Sequence, residues 1–188
     1  MTQTQNRKSL FHGEKLRFTA QYPGDAERIA RFSEDFDYLR RLDTDFAVPQ
    51  AIDSKKESSN RGHNNVEFML RTLEDDRLIG FVALFAIEWN NQAGRLAIGI
   101  GDPTDQGKGY GTDALRMVLR YAFHELNLNR VGLDVIEYNE AAVGAYKKVG
   151  FKEEGRMRAA VLREGKAYSR IIMGILKEEW ETKHSQRL

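Results

Sequence analysis

Three glycines at alternate positions mark the stretch of this sequence whose residue types point most directly to chemistry. Gly107, Gly109 and Gly111 alternate with Lys108 and Tyr110, so the backbone can approach a ligand without Cβ atoms in the way. An amphipathic helical pattern follows directly. Unpaired amide groups at the start of a helix, together with the helix dipole, favour negative charge. The stretch therefore predicts a cradle for a pyrophosphate.

Two common phosphate-binding motifs do not fit this stretch. The NTPase loop G-x-x-x-x-G-K-[ST] requires glycine at position 102 and Ser or Thr at position 109, but the chain has Asp102 and Gly109. The dinucleotide fingerprint G-x-G-x-x-G also fails, because its third glycine would fall on a threonine or an alanine. The pattern that fits is Gln-x-x-Gly-x-Gly, from Gln106 to Gly111.

A second motif follows the predicted helix and reads NEAAVGAYKKVGF. It matches the pattern N-x-x-A-x-x-x-Y-x-K-x-G-F at Asn139, Ala142, Tyr146, Lys148, Gly150 and Phe151. Together the two motifs resemble those of the GNAT acetyltransferase family. The resemblance covers residues 66–176, and the chain is most similar to the branch that holds ribosomal-protein N-terminal acetyltransferases and bacterial spermidine acetyltransferases.

The resemblance implies acetyl-CoA as cofactor, with CoA as product. Backbone groups of Ile98 and Ile100 would pair with the pantetheine arm as an added strand does. The loop amides would hold the pyrophosphate, and the Asn139 side chain would cap its helix and bond the pantetheine amide. The implied cofactor-binding residues are Ile98, Gly99, Ile100, Gln106, Gly107, Lys108, Gly109, Tyr110, Gly111, Thr112, Asn139, Ala142, Tyr146 and Lys148.

Tyr146 is the first candidate for a catalytic residue. Direct acyl transfer needs a neutral amine, a stabilised oxyanion and a proton for the leaving thiolate. A phenol keeps its proton at neutral pH because its ordinary pKa is about 10, so a positioned tyrosine can supply that proton. The alternative is a tyrosine that only packs on the buried face of its helix.

Asp134 is the candidate for the general base. The resemblance points to it, because the ribosomal-protein branch uses a Glu five residues before the Asn. Asp is one methylene shorter, so it would act through a water or not at all. A salt bridge with Arg130 or Arg158 would equally explain a carboxylate in the strand VGLDVI. Two further carboxylates are lesser candidates: Glu88 and Glu137.

Composition limits the classes of protein that this chain can belong to. Its 188 residues suit one domain, and its net charge of +1 gives no sign of a nucleic-acid or anionic-membrane surface. The absence of cysteine excludes disulfides and a Cys nucleophile, and the four histidines are scattered, so no metal site is expected. With no long apolar run and a polar start, a cytoplasmic protein is expected.

Hydrophobic periodicity predicts a single α/β (α+β) domain. Strands are predicted at 15–19, 66–73, 78–88, 95–100, 131–136, 154–162 and 167–176, and helices start near Asp25, Ser33, Asp113 and Asn139. The strand–helix–strand unit over residues 95–136 predicts two parallel neighbours in a largely antiparallel sheet. The resemblance implies that the sheet is splayed at these two strands, with helices on both faces.

Three segments are predicted to lie outside this framework. Residues 1–13 are expected to be a loose leader, and residues 177–188 a charged tail anchored only by Trp180. Residues 48–65 are polar and aperiodic, which predicts a mobile loop close to the substrate.

The sequence specifies the acceptor of the acetyl group less clearly than any other part of the reaction. A protein or peptide N-terminal amine is the first expectation, and a polyamine is the second. The polyamine is suggested by an acidic group, which a solvated helix face also explains: Glu34, Asp35, Asp37, Asp43 and Asp45. A CoA-binding sensor without turnover is the alternative from another class. A homodimer is a family-level expectation, favoured if the apolar last strand IIMGIL lies at a sheet edge.

Overall fold

The computed structural model describes residues 9–52 and 63–185. Its strands are β1 (Leu16–Thr19), β2 (Val66–Thr72), β3 (Leu78–Glu88), β4 (Ala93–Ile100), β5 (Arg130–Ile136), β6 (Lys152–Arg163) and β7 (Lys166–Leu176). Its helices are α1 (Asp25–Phe32), α2 (Phe36–Leu42), α3 (Tyr110–His124), α4 (Glu140–Val149) and α5 (Lys177–Ser185). The predicted α/β class is confirmed. No helix in the described ranges is long and apolar enough to cross a membrane.

The strands form one sheet in the order β1-β2-β3-β4-β5-β7-β6. All neighbours are antiparallel except β4 and β5, which are parallel. These two strands pair only where Ala93–Arg95 faces Arg130–Gly132. Beyond that point β4 stays paired with β3, and β5 with β7. The predicted splay is therefore present, and it opens toward the carboxyl ends of β4 and β5.

The core lies between one face of the sheet and the helices α3 and α4. α3 buries apolar residues at spacings of three and four, including Leu115, Val118 and Leu119. On the opposite face, Arg28 Nε of α1 donates to the Leu78 carbonyl oxygen at 2.6 Å. Helices therefore cover both faces of the sheet, as the resemblance implied.

The hairpin between β6 and β7 closes with a two-residue turn. Glu164 and Gly165 have φ of 50° and 74°, which matches the Glu-Gly loop expected from the sequence. The hairpin places β7 between β5 and β6, so the apolar stretch IIMGIL is interior to the sheet. The condition under which the last strand would favour a homodimer, a position at a sheet edge, is therefore not met, because β7 inserts beside β5.

Three segments were predicted to lie outside the framework of strands and helices, and the structure agrees with these predictions to different degrees. The leader is packed from residue 9 onward, since the Phe11 ring contacts the rings of Phe68 and Tyr121, with centroids 5.8 and 6.2 Å apart. Residues 1–8 lie outside the described residues, as do residues 53–62 of the predicted loop. The last segment forms α5 up to residue 185, and its Trp180 is buried against Phe123.

Candidate active site

The glycine-rich loop connects the carboxyl end of β4 with the first turn of α3. Gly107 and Gly109 have φ of 73° and 85°, a region that favours glycine. Within the described residues, the amides of residues 107–112 donate to no other group. A Cβ placed on Gly107 or Gly111 would meet nothing within 4 Å, so neither glycine is required by internal packing. Consecutive free amides at a helix start fit the pyrophosphate of a CoA molecule.

Two buried carboxylates fix this loop and the helix that follows it. Arg77 binds Asp105 through two hydrogen bonds of 2.6 and 2.9 Å, and Lys108 Nζ lies 3.7 Å from the same carboxylate. Asp113, in the first turn of α3, accepts the backbone amides of residues 14, 15 and 16 at 2.8–3.0 Å. Sequence reasoning missed both anchors. Their signal was two acidic residues flanking the glycine run.

The start of α4 lies at the same end of the sheet as the glycine loop, because β4 and β5 are parallel and both helices follow the carboxyl ends of these strands. Asn139 Oδ1 accepts the amide of Ala142 at 3.3 Å, which confirms that Asn139 caps α4. Its Nδ2 donates to the carbonyl oxygen of Arg41 at 3.2 Å. The donor that the resemblance assigns to the pantetheine amide therefore contacts the end of α2 here.

Tyr146 lies on α4 with its side chain buried. Its ring contacts that of Phe151 edge to face, with centroids 5.7 Å apart. Burial raises the pKa of Tyr146 to about 12, so the phenol keeps its proton at neutral pH. Its hydroxyl makes no hydrogen bond with any residue that the structure describes. Lys148 follows two positions later and is exposed.

Asp134 is held by two arginines on the face of the sheet opposite α3. One of its oxygens bonds Arg95 of β4, and the other accepts from Arg170 Nε of β7 at 2.8 Å. An ion pair is thus present, but its partners are not the expected Arg130 or Arg158. Arg130 pairs with Glu154 instead. With both oxygens engaged by guanidinium groups, Asp134 is poorly placed to take a proton from an amine.

The structure also fixes the positions of the two lesser candidates for the general base, Glu88 and Glu137. Glu88 lies opposite Ala93, at the end where β4 and β5 are still paired, which is the far end of β4 from the glycine loop. Glu137 follows β5 directly, and its carboxylate accepts the amide of Ser169 at 2.6 Å. Glu88 is therefore misplaced for the chemistry, since it occupies the closed end of the splay.

Helix α2 crosses the separated strands on the face opposite α3. A Cβ on Gly99 of β4 would lie 2.7 Å from the Tyr38 hydroxyl oxygen, so this glycine lets α2 approach closely. Burial raises the pKa of Tyr38. At the other side, the Tyr138 hydroxyl donates to the carbonyl oxygen of Arg40. α2 therefore bridges β4 and the residues that follow β5.

A cleft of about 710 Å³ adjoins the start of α4. It lies between α4 and the β6–β7 hairpin, and its lining includes Tyr138, Tyr168, Glu137, Glu140, Lys147 and Arg156. The rings of Tyr138 and Tyr168 meet edge to face at 4.9 Å. Since carboxylates and cations both line the cleft, its charge does not by itself select one type of acceptor.

A sheet splayed at one parallel pair, with a free-amide loop at its open end, is the arrangement that the resemblance to acetyl-CoA-dependent acyltransferases implies. Residues 15–152 match the family model described as an acetyltransferase (GNAT) domain. The chain belongs to the GNAT acetyltransferase family. It is an N-acetyltransferase, and its acetyl donor is acetyl-CoA.

The chain is similar to several named relatives. The SPbeta prophage-derived uncharacterized N-acetyltransferase YokL of Bacillus subtilis is 28% identical over 173 residues, 92% of this chain and 96% of that protein. A spermidine N(1)-acetyltransferase of Vibrio cholerae is 31% identical over 134 residues, 70% of this chain and 76% of that protein. The putative ribosomal N-acetyltransferase YdaF of B. subtilis is 33% identical over 109 residues, 58% of this chain and 59% of that protein.

The fold is also similar to solved structures. The crystal structure of the V. cholerae spermidine N-acetyltransferase in complex with CoA and spermine has a TM-score of 0.78 and 26% sequence identity. The match covers 88% of this chain and 97% of that chain.

Proposed function

We propose that this enzyme acetylates a primary amine of a small polyamine-like cation by direct transfer. The reaction rests on one observation, the free-amide loop at the open end of the splayed strands. The acceptor class is supported by the relative and the solved structure named for spermidine acetylation, which match two thirds of the chain or more. The polyamine thereby moves ahead of the peptide N-terminus that the sequence favoured.

The residues of this chain have distinct parts in the proposed reaction. Acetyl-CoA supplies the activated acetyl thioester. The amides of residues 107–112 hold its pyrophosphate, and the free edges of Ile98–Ile100 orient its pantetheine arm. As the carbon–nitrogen bond forms and the carbon–sulfur bond breaks, the Tyr146 hydroxyl gives its proton to the departing sulfur.

The proton lost by the amine needs no dedicated base on the described residues. The carboxylate of Asp134 is engaged by Arg95 and Arg170, so deprotonation falls to water. Positioning of the neutral amine then accounts for most of the rate gain. Acidic side chains on and beside α2, among them the exposed Asp37 and Asp45, favour a cationic acceptor on the α2 side of the separated strands.

The test is release of free thiol from acetyl-CoA in the presence of spermidine, peptides with free N-termini, amino acids or an aminoglycoside. We expect turnover with spermidine, and a KM for spermidine that rises with ionic strength because its recognition is electrostatic. Turnover with peptides but not with millimolar spermidine would reject the polyamine. Failure to bind CoA by calorimetry would reject the site itself.

A peptide N-terminal amine is the second candidate. It is favoured by the similarity to the relative named as a putative ribosomal N-acetyltransferase, although the match spans 59% of that protein. The same screen separates the two, because a peptide acceptor should show side-chain preference at its first residues, whereas a polyamine has no such positions.

A further inference from the structure

Among the described residues near the glycine loop, Lys15 carries a positive charge that neither sequence motif predicts there. Lys15 stands just before β1, 93 positions away from the loop. Its Nζ donates to the carbonyl oxygen of Lys108 at 2.6 Å. It also lies 3.6 Å from the position that a Cβ on Gly109 would occupy. The ammonium group therefore sits against the predicted anion cradle.

The backbone of Lys15 is held firmly at this place. Its amide donates to the Asp113 carboxylate at 2.8 Å, and the amides of Glu14 and Leu16 donate to the same group at 3.0 Å. A Cβ on the preceding Gly13 would come within 2.5 Å of the Asp113 carboxylate and of the Met117 sulfur. The segment is thus fitted against the first turn of α3, which fixes where the lysine side chain starts.

The other charged side chains near the glycine loop already have partners within the protein. Asp105 is buried and bound by Arg77, and Lys108 Nζ lies 3.7 Å from that same carboxylate. The Asp113 carboxylate accepts hydrogen bonds from the three backbone amides of residues 14–16. Lys15, in contrast, contacts only a neutral carbonyl oxygen among the hydrogen bonds of its side chain in the described residues. Two of its three ammonium hydrogens remain available.

We propose that Lys15 binds the pyrophosphate of CoA and completes the cradle formed by the loop amides. This inference rests on the proposed function, since it assigns one more residue to the same cofactor site. The lysine adds a full positive charge to the partial charges of the amides and of the α3 dipole. Lys15 acts on the affinity for the cofactor and not on the chemical step, because it lies at the phosphates, far along the cofactor from the thioester.

The experiment compares Lys15→Gln, which removes the charge at similar length, with Lys15→Arg, which keeps it. Calorimetry at low ionic strength measures the Kd for CoA. We expect Lys15→Gln to raise this Kd roughly threefold to tenfold, and Lys15→Arg to stay close to wild type. The difference should shrink as salt increases, and kcat at saturating acetyl-CoA should stay unchanged.

Two controls separate a charge effect from a folding effect. Lys166→Gln removes the same charge from the distant β6–β7 hairpin and should leave the Kd for CoA unchanged. An S-acetyl pantetheine donor, which lacks the pyrophosphate, should be used equally well by wild type and Lys15→Gln. Equal Kd values for CoA in wild type and Lys15→Gln would overturn the inference, as would equal losses with CoA and with the pantetheine donor. Absence of CoA binding by the wild type would instead overturn the proposed function.

Discussion

Tyr146 has a buried ring and a hydroxyl that no described residue engages. The hydroxyl oxygen is not among the fully buried polar atoms that lack a partner, so it reaches accessible space although the ring is buried. It is therefore consistent with a donor whose acceptor arrives with the cofactor. Its elevated pKa keeps the proton in place at the pH of a cell.

Replacing Tyr146 with Phe removes the hydroxyl and keeps the ring. We expect kcat to fall at least about tenfold, with the Kd for CoA retained, because only proton donation to the thiolate is lost. Tyr121→Phe, on the half-buried side of α3, serves as the control and should leave kcat unchanged. A Tyr146→Phe enzyme with normal kcat and lower stability would show that the residue only packs.

The same substitution should alter the dependence of stability on alkaline pH. The pKa of Tyr146 rises from its ordinary value of 10.0 to about 12 in the fold, because burial penalises the ionised form. Above pH 10 the unfolded chain therefore binds fewer protons than the folded one, and the free energy of unfolding falls between about pH 10 and 12. Urea unfolding at several pH values should show a shallower decline for Tyr146→Phe.

At the scale of single elements, the proposed cofactor site lies in the glycine loop and the start of α3. Gly111 lies in the first turn of α3, has no positive φ and has open space around it. Structure alone would thus tolerate an alanine there. A requirement for glycine would have to come from the ligand, whose phosphate needs close access to the amides.

We expect Gly111→Ala to leave the free energy of unfolding equal or higher by about 0.5 kcal/mol, since alanine favours the helix. Its KM for acetyl-CoA should nevertheless rise severalfold. Gly144→Ala in α4 is the matched control, because Gly144 also has open space around it. It should gain similar stability with an unchanged KM for acetyl-CoA; only this KM is compared, because Gly144 also lines the cleft beside α4. Equal KM values for the two variants would argue against phosphate binding at this loop.

At the scale of the whole molecule, three charged side chains form an ion-pair brace where the sheet opens. Arg95, Asp134 and Arg170 come from β4, β5 and β7, so their ion pairs cross the split just beyond the last backbone pairing of β4 with β5. The brace fixes the separation of the two strands between which the pantetheine arm is proposed to lie. Breaking a partly buried pair leaves a charge without its partner, which is costly.

Asp134→Asn should lower the free energy of unfolding by roughly 1–3 kcal/mol and reduce kcat/KM at all pH values alike. Arg95→Gln should produce the same pattern, because it breaks the same brace. A general base would behave differently: loss of Asp134 would then be compensated at high pH, where the amine deprotonates by itself. A pH-dependent recovery in Asp134→Asn alone would restore Asp134 as the base. The measurements are urea unfolding and pH–rate profiles.

The sequence by itself determined those features of the fold that depend only on residues close together in the chain. β3 runs from Leu78 to Glu88 as its apolar pattern predicts, Asn139 caps α4, and Glu164-Gly165 forms the hairpin turn. Each depends on periodicity or on a side chain bonding within a few positions, so short-range chemistry suffices. The start of α3 was predicted less accurately, because the helix begins at Tyr110, three residues before the predicted start.

Contacts between distant residues were decided only by the tertiary structure. Asp25 stands where the sequence predicts a helix start, but its carboxylate binds Arg71, 46 positions away, and Gly24 takes the capping position. Asp134 likewise found Arg95 and Arg170, 39 and 36 positions away. An ionised side chain is satisfied by whichever opposite charge the folded sheet brings nearest. The sequence determines which charges exist and the chain topology decides their partners, so the glycine loop before α3 was readable in advance and the charged groups that hold it were not.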